Sequence, residues 1–510
     1  MSFSSLARAS KATKWAFGLV VVGLALRIVA AFRSSGFHHP DEHFQILEFL
    51  HYLRAPSAEG LSFLPWEFHE RMRPWIQVFA YDGIGALASL VGIDGPWGQA
   101  IVFRLSSVLL SVASAALLLL AIRKRTRAGF AAALLASAVG FAMPYLSARL
   151  SSEAVAGSFF AAAFGLVLVD ERRSWGRSVV VGMLIGWAVA IRFQTGFMAA
   201  GLGLWMIWQA RWPWPRWIAL VATAFAVQGL SAIFDRVGYG EWVWTVGNNF
   251  VQNVVHDRAS GFGVDPWWAY FRFVGETAPP LGILVVLLLG WMAWKRPRDP
   301  FTWTFVPMLI AHSFVPHKEL RFLFPLAALL PWAVAQYGAT SSTPWRGWRR
   351  GVAALLFALN LAYLALFTFL PRRTEIAFLE RFDRHFERGV AYVTYGDDPY
   401  VFSGLRVRYY ARPEAYAAAD LPADSPDAKA TLARLALAHP ELGSTIAVVY
   451  GGRGFLPDGH PLFSVCRREF ASVPTFARRA PAWMGAHRLY VRELLACPRA
   501  ALLEGVSGSR

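Results

Sequence analysis

Long apolar runs recur from residue 13 to residue 370, separated by short bursts of arginine and lysine, and this pattern restricts the fold more than any other feature of the chain. In a bilayer every backbone N–H and C=O must be paired within the protein, so such runs become helices or the strands of a closed barrel. The runs are continuous and do not alternate, which selects helices. Hydrophobic residues make up 56% of the chain and charged ones only 16%. The expected fold is a polytopic α-helical membrane protein.

A net charge of +17 could serve nucleic-acid binding if it lay along one surface. Instead the cations fall in separate bursts: Arg8, Lys11 and Lys14; Arg123, Lys124, Arg125 and Arg127; Arg172, Arg173 and Arg177; Arg211 and Arg216; Lys295, Arg296 and Arg298; Arg346, Arg349 and Arg350. The positive-inside rule places all of them in the cytoplasm, and no nucleic-acid partner is expected. The run 15–32 lacks a small-residue cleavage site before His38, so it reads as a retained first helix and not a signal peptide.

With those bursts inside, about eleven spans follow, near 13–33, 100–122, 129–147, 154–170, 178–191, 195–209, 217–234, 279–294, 301–316, 321–338 and 351–370. The run 75–93 would break the charge rule as a span, and reads as a helix lying at the outer surface. Outer segments are then 34–99, 147–153, 192–194, 235–278 and 316–321. Every cluster of unusual polar residues falls on them. After Leu370 the chain turns richer in charge and proline, with strand-like runs at 390–395 and 445–450 and a helical run at 428–438. Residues 1–370 are expected to form a membrane unit and 371–510 a small soluble α/β unit on the outer face. The two cysteines, Cys466 and Cys497, are either a disulfide in an oxidising compartment or two separate thiols.

Two clusters carry the chemistry. His39, Pro40, Asp41, Glu42 and His43 follow the first span, and adjacent carboxylates at a membrane rim suit removal of a proton from a hydroxyl. The competing reading is a solvated acidic loop. His39 and His43 are spaced for a metal, but no third ligand is evident. His317, Lys318, Glu319 and Arg321 follow a late span, and their cations suit a phosphate that must leave. Arg192 at another outer turn would join that anion site. Trp66, Glu67 and Arg73 suit sugar stacking or an interfacial anchor. Ser151, Ser152 and Glu153 read as a helix cap. Asp235, Arg236, Tyr239 and Glu241 open the long outer loop.

In this order the motifs resemble the dolichyl-phosphate-mannose-dependent mannosyltransferases of N-glycan and GPI-anchor assembly, glycosyltransferase family 22 of the GT-C superfamily. The resemblance rests on His39-Pro40-Asp41-Glu42-His43-Phe44-Gln45 and on His317-Lys318-Glu319 with Arg321-Phe322, with weaker matches between them. It implies a GT-C fold with about eleven transmembrane helices and a non-cytosolic active site. It implies inverting transfer of a hexose, most often mannose, from a polyprenyl-phosphate donor to a glycan, glycolipid or protein hydroxyl, with no metal or cofactor. Carried over residue by residue, Asp41 would be the base and Glu42 its partner. His317, Lys318, Arg321 and Arg192 would hold the donor phosphate. His39, His43, Trp66, Glu67, Arg73, Asp235 and Glu319 would contact acceptor or sugar. Composition suggests a bacterial inner membrane with a periplasmic site. The runner-up is a transporter or flippase for an anionic lipid-linked substrate, which would place its charges near the bilayer midplane.

Overall fold

Prolines and cations mark where the apolar helices begin and end. Pro96 opens the helix Pro96–Arg125, whose last turn carries Arg123, Lys124 and Arg125 against the negative end of the helix dipole. Pro300 opens Pro300–Ser313, and the Asp299 carboxylate accepts from Phe301 N at 2.8 Å to cap it. The helix Trp214–Tyr239 stops at Gly240, whose φ of 77° suits glycine. The computed structural model describes residues 10–169, 174–340, 347–402, 404–425, 427–474 and 490–504. Arg8, Arg172, Arg173 and Arg346, expected at the inner face, lie outside the described residues.

All eleven expected spans fall on helical segments, and these differ in length. Among the described residues, five helices are long and apolar enough to span a membrane: Lys11–Arg33, Pro96–Arg125, Ser152–Val169, Trp214–Tyr239 and Trp348–Phe369. The pair Leu320–Ala327 and Leu330–Gly338 passes the same test only when taken together, and is bent by 59°, as a broken span or a re-entrant loop would be. The others are shorter, and one run is broken into Phe130–Val139 and Met143–Ser147. The break is closed by side chains from two other helices. Arg27 donates to Ser137 O at 2.6 Å and to Ser147 Oγ at 3.1 Å. Asn360 accepts from Phe141 N at 2.9 Å and donates to Val139 O at 2.8 Å. Irregular backbone survives inside a bundle only when its polar groups are paired in this way. The run 75–93 forms the helix Ile76–Ser89, followed by exposed Leu90 and Val91.

The chain divides into two compact units, and the first holds the bundle (residues 1–53 and 65–370). Ser152–Val169 is its central helix, 72% buried, whereas Trp348–Phe369 is 11% buried and peripheral. The central helix packs against Pro96–Arg125 and Trp175–Ile191. It also meets the short helix Phe324–Ala327 at Gly157, where a Cβ would lie 2.6 Å from Pro325 Cα. Small residues permit such close backbone approach in membrane bundles.

The second unit comprises Arg54–Leu64 and Pro371–Arg510. Its strands are β1 (Val390–Gly396), β2 (Val401–Phe402), β3 (Leu405–Arg406), β4 (Ala415–Leu421), β5 (Thr445–Arg453), β6 (Arg467–Ala471) and β7 (Tyr490–Pro498). Five of them form one sheet in the order β4-β1-β5-β7-β6, with the first three parallel and β7 antiparallel to both neighbours. The helix Ala428–Ala438 lies where helical patterning was read. Cys466 and Cys497 form a disulfide, which resolves the two alternatives left open above. Within this unit Arg408 pairs with Glu59 and lies over the Phe63 ring at 4.2 Å.

Candidate active site

Asp41 is placed by the one-and-a-half-turn helix Pro40–Phe44. His39 caps it, its Nδ1 accepting from Asp41 N at 3.3 Å, and Pro40 fixes the first helical position. Around Asp41 four segments that join or flank the helices converge within the bundle unit. Arg321 Nη2 lies 2.7 Å from Asp41 Oδ2, its Nη1 3.4 Å from Glu153 Oε1, and its Nε donates to Glu319 Oε2 at 2.5 Å. Arg192 Nη2 reaches the same Glu153 oxygen at 3.0 Å. Arg73 Nη2 stands 3.5 Å from both Asp41 and Glu67, and Gln45 donates to Glu67 at 2.9 Å. His317 and His39 bracket Glu319, at 2.9 Å and 3.4 Å.

The field of this cluster separates its carboxyls. Burial pushes Asp41 up, but Arg321, His39 and Arg73 together hold it well below the usual carboxylate range. Glu67 moves the other way, raised by burial and by the negative charge of Asp41. Burial also opposes ionisation of Glu319, yet Arg321 and His39 bring it down to about 2. Asp41 is therefore ionised at neutral pH, 19% exposed, and able to accept a proton.

Other expected site residues are occupied differently. Both oxygens of Glu42 accept from backbone amides, His38 N and Leu150 N, each at 2.8 Å. Glu42 thus ties the segment after the first helix to the segment at Leu150, with each of its oxygens held by a backbone amide. Arg149, fully buried, reinforces the tie by donating to Ser34 O at 2.6 Å and Gly36 O at 3.0 Å. Lys318, expected on the phosphate, donates instead to the carbonyls of Val315 at 2.6 Å and Asp265 at 3.0 Å. Its ammonium pins the loop at 265 to the turn at 316. His43 is buried, with Nε2 2.6 Å from Glu48 Oε1. Asp235 is buried and accepts from Trp75 N at 2.7 Å. Trp66 stacks on Phe262 at 6.0 Å, and Phe262 in turn lies 5.9 Å from the His317 ring.

Sequence reading missed Glu153. Its place at the start of a helix suggested a cap, yet it is 1% exposed and bridges Arg192 and Arg321. The available signal was a carboxylate at the membrane rim, which needs a cation to be tolerated there. Beside the cluster lies a narrow cleft bordered by Arg73, Arg192, Gln45, Gln77 and Thr245. Among the described residues no group of three or more His, Cys, Asp or Glu side chains is arranged to hold a metal. The arrangement offers a proton acceptor next to fixed guanidinium groups, which suits a reaction that removes a proton at one point and develops negative charge at another.

Residues 18–396 match the family described as the Alg9-like mannosyltransferase family. Among curated proteins the chain is 26% identical over 355 residues to GPI mannosyltransferase 3 of Yarrowia lipolytica, covering 67% of each. It is 27% identical to GPI alpha-1,2-mannosyltransferase 3 of Bos taurus, over 69% of this chain and 63% of that one. The human protein of that name gives 26%, over 69% and 62%. The match therefore spans less than two thirds of the bovine and human proteins. Among solved structures, ArnT from Cupriavidus metallidurans bound to undecaprenyl phosphate shares the fold, with a TM-score of 0.56 at 13% identity over 95% of this chain and 98% of that one. The helical GT-C architecture expected from the motifs is the one found.

Proposed function

The chain belongs to the Alg9-like mannosyltransferase family, and on that premise we propose that it transfers mannose from a polyprenyl-phosphate donor to a hydroxyl of a glycan or glycolipid, at the non-cytosolic face of a membrane. The observation that carries the reading is the 2.7 Å pairing of Asp41 with Arg321, which joins the early acidic motif to the late basic one. Mannose and a glycolipid acceptor draw support from the relatives named GPI mannosyltransferase. The non-cytosolic face draws support from the basic bursts at the opposite helix ends and from the Cys466–Cys497 disulfide.

Asp41 takes the proton of the acceptor hydroxyl as its oxygen attacks C1 of the mannosyl group. The bond from C1 to the phosphate oxygen breaks as the new bond forms on the opposite side, with inversion. The electron pair leaves on the phosphate, and Arg192 and Arg73 at the cleft, with Arg321 behind them, offset that charge. Glu42, Arg149 and Lys318 position the loops that carry these groups. No observation favours a transporter: the charged residues gather at helix ends on one face, not at mid-bilayer.

The test is purified full-length protein in phospholipid vesicles, given polyprenyl phosphate mannose labelled in the sugar and a glycolipid acceptor. The expected result is label on the acceptor with inverted configuration and release of polyprenyl phosphate. Label that crosses the bilayer still attached to its phosphate, with no transfer, would overturn the reading.

A further inference from the structure

The outer loop after the helix Trp214–Tyr239 is built inside out. Between residues 242 and 255 the polar side chains face the protein and the large apolar ones face outward. Thr245 and Asn249 are buried, Asn248 donates to Arg71 O at 3.2 Å, and Gln252 donates to Glu70 Oε2 at 2.6 Å. On the other side Trp242, Trp244, Phe250, Val251, Val254 and Val255 stand 39–75% exposed. The helix Thr245–Phe250 continues as a π turn through Val251–Val255, so Phe250 and Val254 share a face, as do Val251 and Val255. A water-facing surface helix shows the reverse pattern, and a contiguous apolar patch of this kind calls for an occupant.

We propose that this face is seated in the outer leaflet of the bilayer, its apolar side chains among lipid acyl chains. Two observations select lipid over a protein partner. The segment begins three residues beyond Tyr239, where a membrane-spanning helix ends, so the bilayer surface is within reach. Its tryptophans, with Arg258 and His256 beyond, follow the composition of the interfacial belt. The consequence reaches the active site. The polar face holds Glu70 and Arg71, Arg258 pairs with Glu70 and lies 5.2 Å from the Trp66 ring, and Trp66 stacks on Phe262. Contact with lipid thereby orders the loop that carries Trp66, Glu67 and Arg73.

The inference rests on the membrane reading of this face, but its measurement needs no transfer activity, so the two can fail separately. Single cysteines replace Phe250, Val254 or, as a water-exposed control, Arg434. The native cysteines are bonded to each other and leave the new thiol as the labelling site. Each full-length variant is spin-labelled in vesicles of phosphatidylcholine and phosphatidylglycerol, and its collision with dissolved oxygen is compared with that with a water-soluble nickel chelate. Oxygen should be favoured severalfold at 250 and 254, with the reverse at 434. Equal access of the chelate at all three positions would overturn the inference, and protection of 250 and 254 from both quenchers would replace lipid with a protein partner.

Discussion

Arg321 donates toward three carboxylates that come from three different parts of the chain, Asp41, Glu153 and Glu319. One guanidinium therefore both holds Asp41, the proposed base, in place and lowers its proton affinity. Removing it has a signed consequence. Asp41 must be ionised to accept a proton, so activity falls as pH drops through its pKa. With Arg321 present that pKa lies well below the usual carboxylate range. In Arg321→Gln the largest charge opposing burial is gone and only His39 and Arg73 still lower the pKa, so the acid limb of kcat should move to higher pH, alongside a loss of rate from the missing cation. A pH–rate profile separates the two effects, and an unmoved limb would place the titrating base elsewhere. The sequence made Asp41 and Arg321 visible because each lies in a dense motif. It did not reveal that adjacent Glu42 and Lys318 turn to the backbone, since neighbours in a motif need not point the same way. Nor did it reveal Glu153, whose partners are distant in sequence.

At the scale of elements, the site depends on one close helix contact. Gly157 of the central helix packs on the backbone of Pro325, four residues after Arg321. Gly157→Val would have to displace that backbone and with it the turn carrying Glu319 and Arg321. The expected loss of transfer is about tenfold to a hundredfold, although no polar group changes. Gly229→Val, with nothing within 4 Å of its Cβ, is the control and should retain near-normal activity. Equal activity in both variants would remove the contact from the account. Element positions were largely legible from the short strand-like runs that became β1 and β5 and from the helical run that became Ala428–Ala438. The break within the run 129–147 was not. Where Arg27 and Asn360 supply the missing backbone partners, a helix can break without a break in hydropathy.

Across the whole molecule, residues far apart in the chain meet at one end of the helical bundle, and family and fold agree on what that arrangement belongs to. Hydropathy and the basic bursts were enough to bring the first and last motifs to the same face, because charge bias orients spans without knowledge of their packing. The inclusion of Arg54–Leu64 in the second unit was beyond sequence reading, since its pairing with Arg408 joins residues 349 positions apart. The most direct test of the account is Asp41→Asn in purified protein in vesicles, with donor binding and mannosyl transfer both measured. Transfer should fall by about a hundredfold or more while the polyprenyl phosphate mannose is still bound. Transfer within about twofold of the unaltered protein would contradict the assignment of Asp41 as the group that takes the proton.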